Sequence, residues 1–567
     1  MAQAGTDDAL TRRQLAEAVA AQQQRRLDDA ARLYEAVLAR APRNADALHL
    51  LGVISAETGQ PERAAALMEA ALRENSHAPS IHFNWANLLQ ASGRLREAVA
   101  HYDIALALAP EAAECWYNRG NALVRMGLCE DSLASFEAAL LVRPAYPAAL
   151  LNKGVAEQNL GRFAAAAASF EAALALRPFY VQALCNLGNV LRITGQWDAA
   201  RQVCEEAVRR HPGHADAHVQ LGNVLQNLNA QEAALECYAQ ALALNPDHVN
   251  AHWNGGLTLL RLGRYAEGWR GFEWRKRLST PVAVRGFAQP EWLGGGELRG
   301  KRVFLHWEMG LGDTLQFCRY APLVRALGAE VVLAVPDPLV RLVRGMDKAI
   351  DVISTHAVPR HFDLHCPLMS LPLALGTTLA TVPAAIPYLH ADPAQAAMWR
   401  ARLAALPGLK VGLVWSGAPR PDAPEANAVD QRRSLKLAQL GPLARVRDMS
   451  FVSLQKGPPA ADAATPPPGM VLHDWTAELG DFLDTAGLVA GLDLVISVDT
   501  SVAHLAGALG RPLWVLNRSD HCWRWLDGEG TSPWYPSARL FRQASPGDWS
   551  AVLTAVADAL HELGARG

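Results

Sequence analysis

The sequence lacks the residue patterns that mark several common classes of protein. It has eight cysteines but no C-x-x-C pair, which argues against a metal site built from cysteines. No Asp-x-Asp motif occurs, so nothing indicates a carboxylate clamp for a divalent metal, and we predict no metal site. No stretch of about 18 uncharged apolar residues predicts a membrane-spanning helix.

An excess of charge of either sign is also missing. The 53 Lys and Arg residues nearly balance the 56 Asp and Glu residues, for a formal net charge of −3. This balance gives no indication of a nucleic-acid or anionic-membrane partner. The first ten residues lack the basic start and apolar core of a signal peptide. We therefore expect a reduced, cytoplasmic protein, and its 567 residues predict more than one domain.

A period of 34 residues runs through the first half of the chain. One register holds prolines, a second glycines, a third large and mostly aromatic side chains, and a fourth small side chains such as alanine. The first three registers include Pro110, Pro144, Pro178, Pro212 and Pro246; Gly52, Gly120, Gly154, Gly188, Gly222 and Gly256; and Tyr34, Tyr102, Phe136, Phe170, Tyr238 and Phe272.

Each register predicts one part of a repeated helix pair. Small residues allow the two helices to approach closely, and the aromatic ring fills the space between neighbouring pairs. Proline ends the second helix because it cannot donate to the helical ladder. Further glycines, among them Gly59 and Gly93, are predicted to be left-handed residues in the turns. Residues 11–278 thus resemble the tetratricopeptide-repeat family, with seven to eight repeats forming an α-superhelix.

Carboxamides occupy a fifth register, on the first helix of each repeat. Its members are Asn84, Asn118, Asn152, Asn186, Gln220 and Asn254, and a second set three residues later comprises Asn87, Asn121, Asn189 and Asn223. The column resembles the asparagine ladder of O-GlcNAc transferase, which implies a groove that clamps the backbone of a protein or peptide. The alternative is that these amides bond neighbouring repeats or are hydrated.

Strands and helices alternate in the second half. After a linker rich in Pro, Gly and Trp (residues 279–300), short apolar runs begin at residues 301, 329, 409, 449, 492 and 512, and two weaker strand signals (IDVIST and FDLHCPL) occur around residues 350–370. This alternation indicates parallel sheets with right-handed crossovers. A proline-rich break near residues 383–393 divides the region into lobes at 301–405 and 406–567. Two Rossmann-like lobes are typical of the GT-B arrangement, with a cleft at the carboxyl ends of the strands.

The segment SVDTSVAHLAGALGRPLWVL (497–516) predicts a buried strand, a turn at Asp499, Thr500 and Ser501, and then a helix. A helix that starts after such a cap offers N–H groups to a phosphate, and His504 adds a donor one turn later. A capped helix that binds nothing is the structural alternative. The segment resembles the donor site of the heptosyltransferase-like glycosyltransferases, except that Ser501 replaces their usual glycine.

Further segments carry the same resemblance, among them residues 308–324, VGLVWSG (411–417, which includes Ser416), RRSLKL (432–437) and FVSLQKG (451–457). In the related enzymes, a Gly-Asp pair in the first loop supplies the proposed general base. This implies that Asp313, after Gly312, deprotonates the acceptor. The alternatives are that Asp313 only caps a helix or that Glu308 is the base.

The charge of a leaving diphosphate must then be met by a helix terminus and by basic side chains. Candidates are Arg432, Arg433 and Lys456, although the arginine pair could simply be solvated. The preceding polar stretch of residues 419–431 is predicted to be a mobile lid. Residues 521–543 are rich in aromatic side chains and are expected to serve mainly as packing between the lobes.

These patterns together predict a metal-independent glycosyltransferase. The second lobe would bind a nucleotide-sugar as co-substrate, with no other cofactor, and the repeats would present a protein acceptor. The alternative is a non-catalytic repeat scaffold whose α/β region is degenerate or senses a nucleotide.

Overall fold

The structure is a computed structural model that describes residues 2–278, 285–528 and 530–565, with side chains from residue 9 onward. The first six residues of the predicted linker, 279–284, lie outside the described residues. The chain divides into two compact units, residues 1–190 and residues 191–567.

All regular secondary structure in residues 2–272 is α-helical. Sixteen of them follow one another there, with the bounds α1 (Ala2–Gln23), α2 (Leu27–Arg40), α3 (Ala45–Glu57), α4 (Pro61–Glu74), α5 (Pro79–Ala91), α6 (Leu95–Leu108), α7 (Ala113–Arg125), α8 (Cys129–Val142), α9 (Pro147–Asn159), α10 (Phe163–Leu176), α11 (Val181–Ile193), α12 (Trp197–Arg210), α13 (Ala215–Asn227), α14 (Gln231–Leu244), α15 (Val249–Arg261) and α16 (Tyr265–Phe272). Successive helices pack in pairs, such as α3 with α4 and α13 with α14.

The turn within each pair confirms the prediction of a left-handed residue. The turn glycines at 59, 93, 127, 161, 195 and 263 have φ between 73° and 82°. Arg25 and Asn229 occupy the same turn in two other repeats, each with φ of 61°, and neither was recognised from sequence. The second helices α6, α8, α10, α12 and α14 end two residues before the register proline, as expected from a residue that cannot extend the helical ladder.

The register glycines meet the register aromatics. An added Cβ at Gly154 would lie 2.5 Å from the ring of Phe170, and one at Gly222 would lie 2.6 Å from the ring of Tyr238. Phe170 is fully buried and Tyr238 nearly so. The ring of the second helix therefore lies directly on the backbone of the first, and a side chain there would displace it.

The α/β region contains two parallel sheets within residues 285–528 and 530–565. Their strands are β1 (Arg302–His306), β2 (Glu330–Val335), β3 (Asp351–Ser354), β4 (Leu364–Pro367), β5 (Leu409–Val414), β6 (Met449–Ser453), β7 (Leu472–Asp474), β8 (Leu494–Val498), β9 (Leu513–Asn517) and β10 (Ala538–Arg542). The first sheet has the order β3-β2-β1-β4 and the second the order β10-β9-β8-β5-β6-β7. Every strand pair is parallel, for example Val411 opposite Phe451 on one side of β5 and opposite Leu494 on the other.

Nine helices connect and cover these strands in the same described residues. They are α17 (Leu311–Phe317), α18 (Ala321–Ala326), α19 (Asp337–Arg344), α20 (Leu371–Ala374), α21 (Pro393–Ala404), α22 (Pro424–Arg433), α23 (Phe482–Val489), α24 (Ser501–Ala508) and α25 (Ser550–Gly564). Strands β7 and β10 were not predicted, because β7 is only three residues long and the β10 segment ARLFR carries two arginines. Helix α22 occupies most of the segment that was predicted to be a mobile lid.

The last helix pair shares a hydrophobic core with the α/β region. Trp269 and Phe272 on α16 belong to one buried cluster that also contains β1, α17 and the aromatic segment 523–535. The indole N–H of Trp269 donates to the carbonyl of Thr377 at 3.0 Å, and the indole of Trp534 donates to the hydroxyl of Tyr265 at 3.0 Å. The end of the repeats and the two sheets are thus parts of one packed interior.

Two glycines of the same register provide a test of this packing. A Cβ at Gly256 would meet the backbone of Gly271 on α16 at 2.7 Å, whereas one at Gly52 would meet only the flexible side chain of Met68 and the Cβ of Leu67, at 3.3–3.4 Å. We expect Gly256→Ala to destabilise the protein by about 1–3 kcal/mol, since backbone cannot move aside. Gly52→Ala should be neutral or stabilise by up to about 1 kcal/mol through helix propensity. Thermal unfolding of both variants measures the difference, and equal midpoints would contradict it.

Candidate functional site

A cavity of about 990 Å³ lies at the carboxyl ends of the strands in the unit 191–567. All ten residues predicted for the α/β site line it, namely Gly312, Asp313, Ser416, Arg432, Arg433, Lys456, Asp499, Thr500, Ser501 and His504. Ser416 follows β5 and Asp499 follows β8, and these two strands are neighbours from which the chain winds in opposite directions. Such a switch point of strand order is where parallel α/β sheets form ligand crevices.

The turn after β8 has the predicted form, with one difference at the cap. Thr500 is the N-cap of α24, but its side chain does not accept a hydrogen bond from the helix. Its hydroxyl instead lies 3.0 Å from the hydroxyl of Ser497, the fourth residue of β8. The Thr500 side chain is therefore directed by the strand rather than by the helix.

His504 on α24 lies between the turn and the aromatic segment. Its Nδ1 is 2.9 Å from the hydroxyl of Tyr535, its ring stacks on Trp525, and its Nε2 is 4.0 Å from Asp499. Burial lowers the pKa of His504 to about 4, against the opposing effect of the Asp499 carboxylate. The imidazole is thus neutral at physiological pH and cannot supply a positive charge to a phosphate.

Gly312 is needed at its position because α17 and α24 approach each other there. An added Cβ at Gly312 would lie 2.8 Å from the ring of His504 and 3.4 Å from the Cα of Ser501. The loop that follows β1 is thereby brought against the turn that follows β8. The two predicted motifs, nearly 190 residues apart in sequence, form one wall of the cavity.

Asp313 has two partners. Its Oδ2 accepts a hydrogen bond from the amide of Gly310 at 2.8 Å, which closes the first turn of α17. Its Oδ1 pairs with the guanidinium of Arg524, which also donates to Gln316 Oε1 at 2.6 Å. Asp313 therefore has the capping role that was considered as an alternative, and it faces the cavity as well.

Arg524 is a site residue that sequence reasoning missed. It lies in the aromatic segment 521–543, which was assigned to packing, and Trp525, Trp534 and Tyr535 are indeed fully buried. The arginine among them nevertheless lines the cavity and contacts Asp313. Nothing in the local sequence distinguishes it, because its partners come from α17, some 200 residues earlier.

The predicted cations occupy different environments. Lys456 donates to the carbonyls of Thr476 and Leu479, at 2.8 Å and 2.6 Å, which leaves one of its three N–H groups for a ligand. Arg433 pairs with the buried carboxylate of Asp430 at 2.6 Å. Both arginines lie at the end of α22 and are partly buried, so the alternative of solvated loop charges is wrong.

Several donors in this wall are buried without an acceptor. They are Arg432 Nε, Arg433 Nε and Asn517 Nδ2, and all three residues line the cavity. A buried donor without a partner costs free energy, which a ligand oxygen in the cavity would recover. Among the described residues that line the cavity, eight are Arg or Lys and four are Asp. The wall is therefore suited to an anion.

Glu308, the rival to Asp313, does not line this cavity. Its carboxylate accepts from the fully buried Arg275 at 2.8 Å, and burial raises the pKa of Glu308. It lines a separate pocket of about 320 Å³ together with His306 and His365. Its contacts are those of a structural ion pair in the interior.

Gln455 organises the end of β5 and was also missed. Its Oε1 accepts from the amides of Trp415 and Ser416, at 3.1 Å and 2.9 Å, and its Nε2 donates to the carbonyls of Ser416 and Lys456. A glutamine after a strand carries no sequence signal for this role. It fixes the loop that places Ser416 in the cavity wall.

The carboxamide column of the repeats makes contacts from repeat to repeat. Asn118 donates to Asn87 Oδ1 at 2.9 Å, Asn152 to Asn121 Oδ1 at 2.7 Å and Asn254 to Asn223 Oδ1 at 2.7 Å. Asn84 Nδ2 is 2.8 Å from His49 Nε2, and Asn186 is half-buried on α11. Asn152 Nδ2 also donates to the Tyr117 hydroxyl at 3.2 Å. These side-chain amides thus tie successive repeats together, which is one of the alternatives that the sequence left open.

The described residues contain neither a cluster of metal ligands nor a helix that could span a membrane. Over residues 2–278, 285–528 and 530–565, no group of three or more His, Cys, Asp or Glu side chains is placed to hold a metal ion. In that same part of the chain, none of the helices has the length and hydrophobicity required to cross a bilayer.

Comparison with known families identifies the repeats. The family described as tetratricopeptide repeat matches residues 15–79, 117–178 and 151–215, and a second TPR-repeat description matches residues 86–127 and 227–263. The chain is also 31% identical over 332 residues to Protein FlbA of Caulobacter vibrioides. That match covers 54% of each protein, so the chain spans about half the length of the curated relative.

Several solved structures resemble part of the chain. YrrB, a TPR protein with an unusual peptide-binding site, is 29% identical with a TM-score of 0.29 and covers 32% of this chain and 95% of its own. PilF of Pseudomonas aeruginosa is 20% identical with a TM-score of 0.33 and covers 36% of this chain and 94% of its own. A tetratricopeptide-repeat protein from Parabacteroides merdae is 19% identical with a TM-score of 0.36 and covers 44% and 98%.

The fold and the family matches together define two parts of the chain. The N-terminal helices form an array of tetratricopeptide repeats, and a region of two parallel α/β sheets follows them. The cavity lies at the carboxyl edge of that second region.

The lowered pKa of His504 predicts a pH dependence of stability. Because the unfolded chain binds a proton near pH 6.5 and the folded chain only near pH 4, the contribution of neutral His504 is complete above pH 6.5 and is lost as the pH falls toward 4. Between pH 7 and pH 5 the stability advantage of the wild type over His504→Gln should shrink by about 2 kcal/mol. Chemical denaturation at both pH values measures this, and a constant difference would contradict it.

Proposed function

We propose that the protein is a metal-independent glycosyltransferase that moves a sugar from a nucleotide-sugar donor to an acceptor hydroxyl. The observation that carries the proposal is the cavity, where an excess of cations and buried unpartnered donors faces the carboxyl ends of parallel strands. A nucleoside diphosphate is the kind of ligand that such a wall accommodates. The two sheets would be the lobes of a GT-B enzyme.

The diphosphate would lie against α24 and the arginines of α22. The α24 N-terminus, the hydroxyls of Thr500 and Ser501, and the Nε groups of Arg432 and Arg433 offer donors to its oxygens. These groups take the place of a divalent cation in stabilising the leaving group. The remaining N–H of Lys456 can add a further bond.

Asp313 is the proposed general base. Its carboxylate takes the proton of the acceptor hydroxyl as that oxygen attacks the anomeric carbon. The bond between that carbon and the phosphate oxygen breaks, the nucleoside diphosphate leaves with the electron pair, and Asp313 then returns the proton to solvent. The hydrogen bond from Gly310 and the contact with Arg524 hold the carboxylate in place for this step.

A second candidate function has an observation in its favour. Both carboxylate oxygens of Asp313 already have partners in the protein, Oδ1 the Arg524 guanidinium and Oδ2 the Gly310 amide. The region would then bind a nucleotide-sugar without transferring it, and the protein would be a nucleotide-sensing scaffold. Turnover separates the two functions.

The test begins with a thermal-shift screen of nucleotide-sugars on the whole chain. A ligand at about 100 times its Kd raises stability by about 2.7 kcal/mol. For the donor so identified, we expect Asp313→Asn to lower turnover by about a hundredfold or more while donor affinity is retained. The control is Asp392→Asn, because Asp392 caps α21 through the amides of Ala394 and Gln395 and does not line the cavity.

Normal turnover by Asp313→Asn would remove Asp313 as the base. Binding of a donor by the wild type without hydrolysis or transfer would favour the sensing scaffold.

We further propose that the acceptor is a protein whose extended segment binds along the carboxamide column. Asn118 donates to Asn87 and Asn152 donates to both Asn121 and the Tyr117 hydroxyl, and the Oδ1 atoms of Asn118 and Asn152 are suited to accept from a peptide backbone. The column would then serve both cohesion between repeats and binding.

The triple change Asn118→Ala, Asn152→Ala and Asn186→Ala tests this role. With each contact worth about 0.5–1.5 kcal/mol, the KM for a protein acceptor should rise about tenfold or more. Hydrolysis of the donor by water should not change, since it does not use the column. The double change Asn75→Ala and Asn245→Ala is the control, because it removes exposed amides that bond only within their own turns. A triple variant with lower thermal stability but normal KM would restrict the column to cohesion.

A further inference from the structure

One register of the repeats faces the cavity in the unit 191–567. Ile193, Asn227 and Arg261 are the last residues of α11, α13 and α15 and are spaced by 34 residues. Each makes a polar contact with the α/β region, namely with Arg432, Asp520 and Asp527 respectively. The repeats are proposed to present the acceptor. Through Asn227 and Arg261 they also form part of the wall of the cavity that is proposed to bind the donor.

Two of these contacts, those of Ile193 and Asn227, converge on Arg432. Its Nη1 donates to the carbonyl of Ile193 at 2.6 Å, and its Nη2 lies 3.6 Å from Asp520. The Asp520 carboxylate in turn accepts from Asn227 Nδ2 at 2.9 Å and forms an ion pair with Arg518, whose Nε is 3.2 Å away. Arg432 lines the cavity, and its Nε is buried without a partner.

The position of Asp520 decides how much positive charge remains for a ligand. Its side chain is only 5% exposed, so its charge must be balanced by neighbours rather than by water. The N–H of Asn227 supplies part of that balance. Without it, the carboxylate would draw more strongly on Arg432 and Arg518, which would then be less available to a phosphate.

We propose that Asn227 is a positioning residue of the anion site, which acts through Asp520 to hold Arg432 and Arg518 for a diphosphate. The repeat array is therefore a structural part of donor binding as well as an acceptor platform. This inference rests on the proposed function insofar as the anion is the diphosphate of a nucleotide-sugar.

The test uses inorganic pyrophosphate as the probe, titrated calorimetrically into the full chain at about 0.15 M salt. Asn227→Asp has nearly the same shape but replaces the donor by a carboxylate opposite Asp520. We expect its affinity for pyrophosphate to fall about tenfold or more. Asn245→Asp adds the same charge directly after α14, the next helix, away from the cavity, and should retain affinity.

The double variant Asn227→Asp with Asp520→Asn exchanges donor and acceptor across the same pair. It should recover affinity to within about threefold of the wild type, as expected for residues that are energetically coupled. A change that only loosened the fold would not be repaired by this second substitution. Matched thermal midpoints of the single and double variants confirm that binding, not folding, is measured.

Three results would overturn the inference: no binding of pyrophosphate by the wild type, unchanged affinity in Asn227→Asp, or a double variant no better than the single one. The proposed function can fail independently of this inference. In that case pyrophosphate binds and Asn227 and Asp520 are energetically coupled, but no nucleotide-sugar is turned over.

Discussion

The unit of residues 191–567 depends on the burial of Trp269. This indole is 1% exposed, donates to the carbonyl of Thr377 and meets the edges of Phe317 and Trp523. Its helix therefore packs against both the loop region after β1 and the aromatic segment after β9. A large aromatic side chain buried with its N–H satisfied contributes several kcal/mol, and its loss would expose partners on all sides. This contact joins three parts of the chain, two of which, α17 and the aromatic segment, contribute residues to the cavity wall.

Residues at the same register position of different repeats make different contacts. Gly154 gives space to a ring from the next helix, whereas Gly256 gives space to the backbone of Gly271. In the same way Asn227 and Arg261, at equivalent positions, reach across to Asp520 and Asp527. A repeat is a unit of backbone geometry, and its side chains are free to specialise where the array meets another surface.

Buried charges in the α/β region are arranged in two ways. Arg275 and Glu308 satisfy each other in the interior, and Asp430 is satisfied by Arg420 and Arg433. At the cavity, by contrast, the Arg and Lys side chains of the lining outnumber the Asp side chains by eight to four. Positive charge that the protein's own carboxylates do not balance is suited to an anionic ligand. This excess, rather than a single unpaired Nε, which Arg275 also has, distinguishes the anion site from structural ion pairs.

Periodicity and strand alternation were sufficient to predict the helix pairs, their left-handed turns and eight of the ten strands, because these depend on local backbone preferences and on burial. The sequence alone also indicated Asp313 and Asp499, since each follows a strand in a recognisable loop. It could not indicate Arg524 or Asn227, whose partners lie some 200 and 290 residues away along the chain. Only the tertiary structure decided those contacts, because the packing of helices against sheets brings together residues that no local pattern relates.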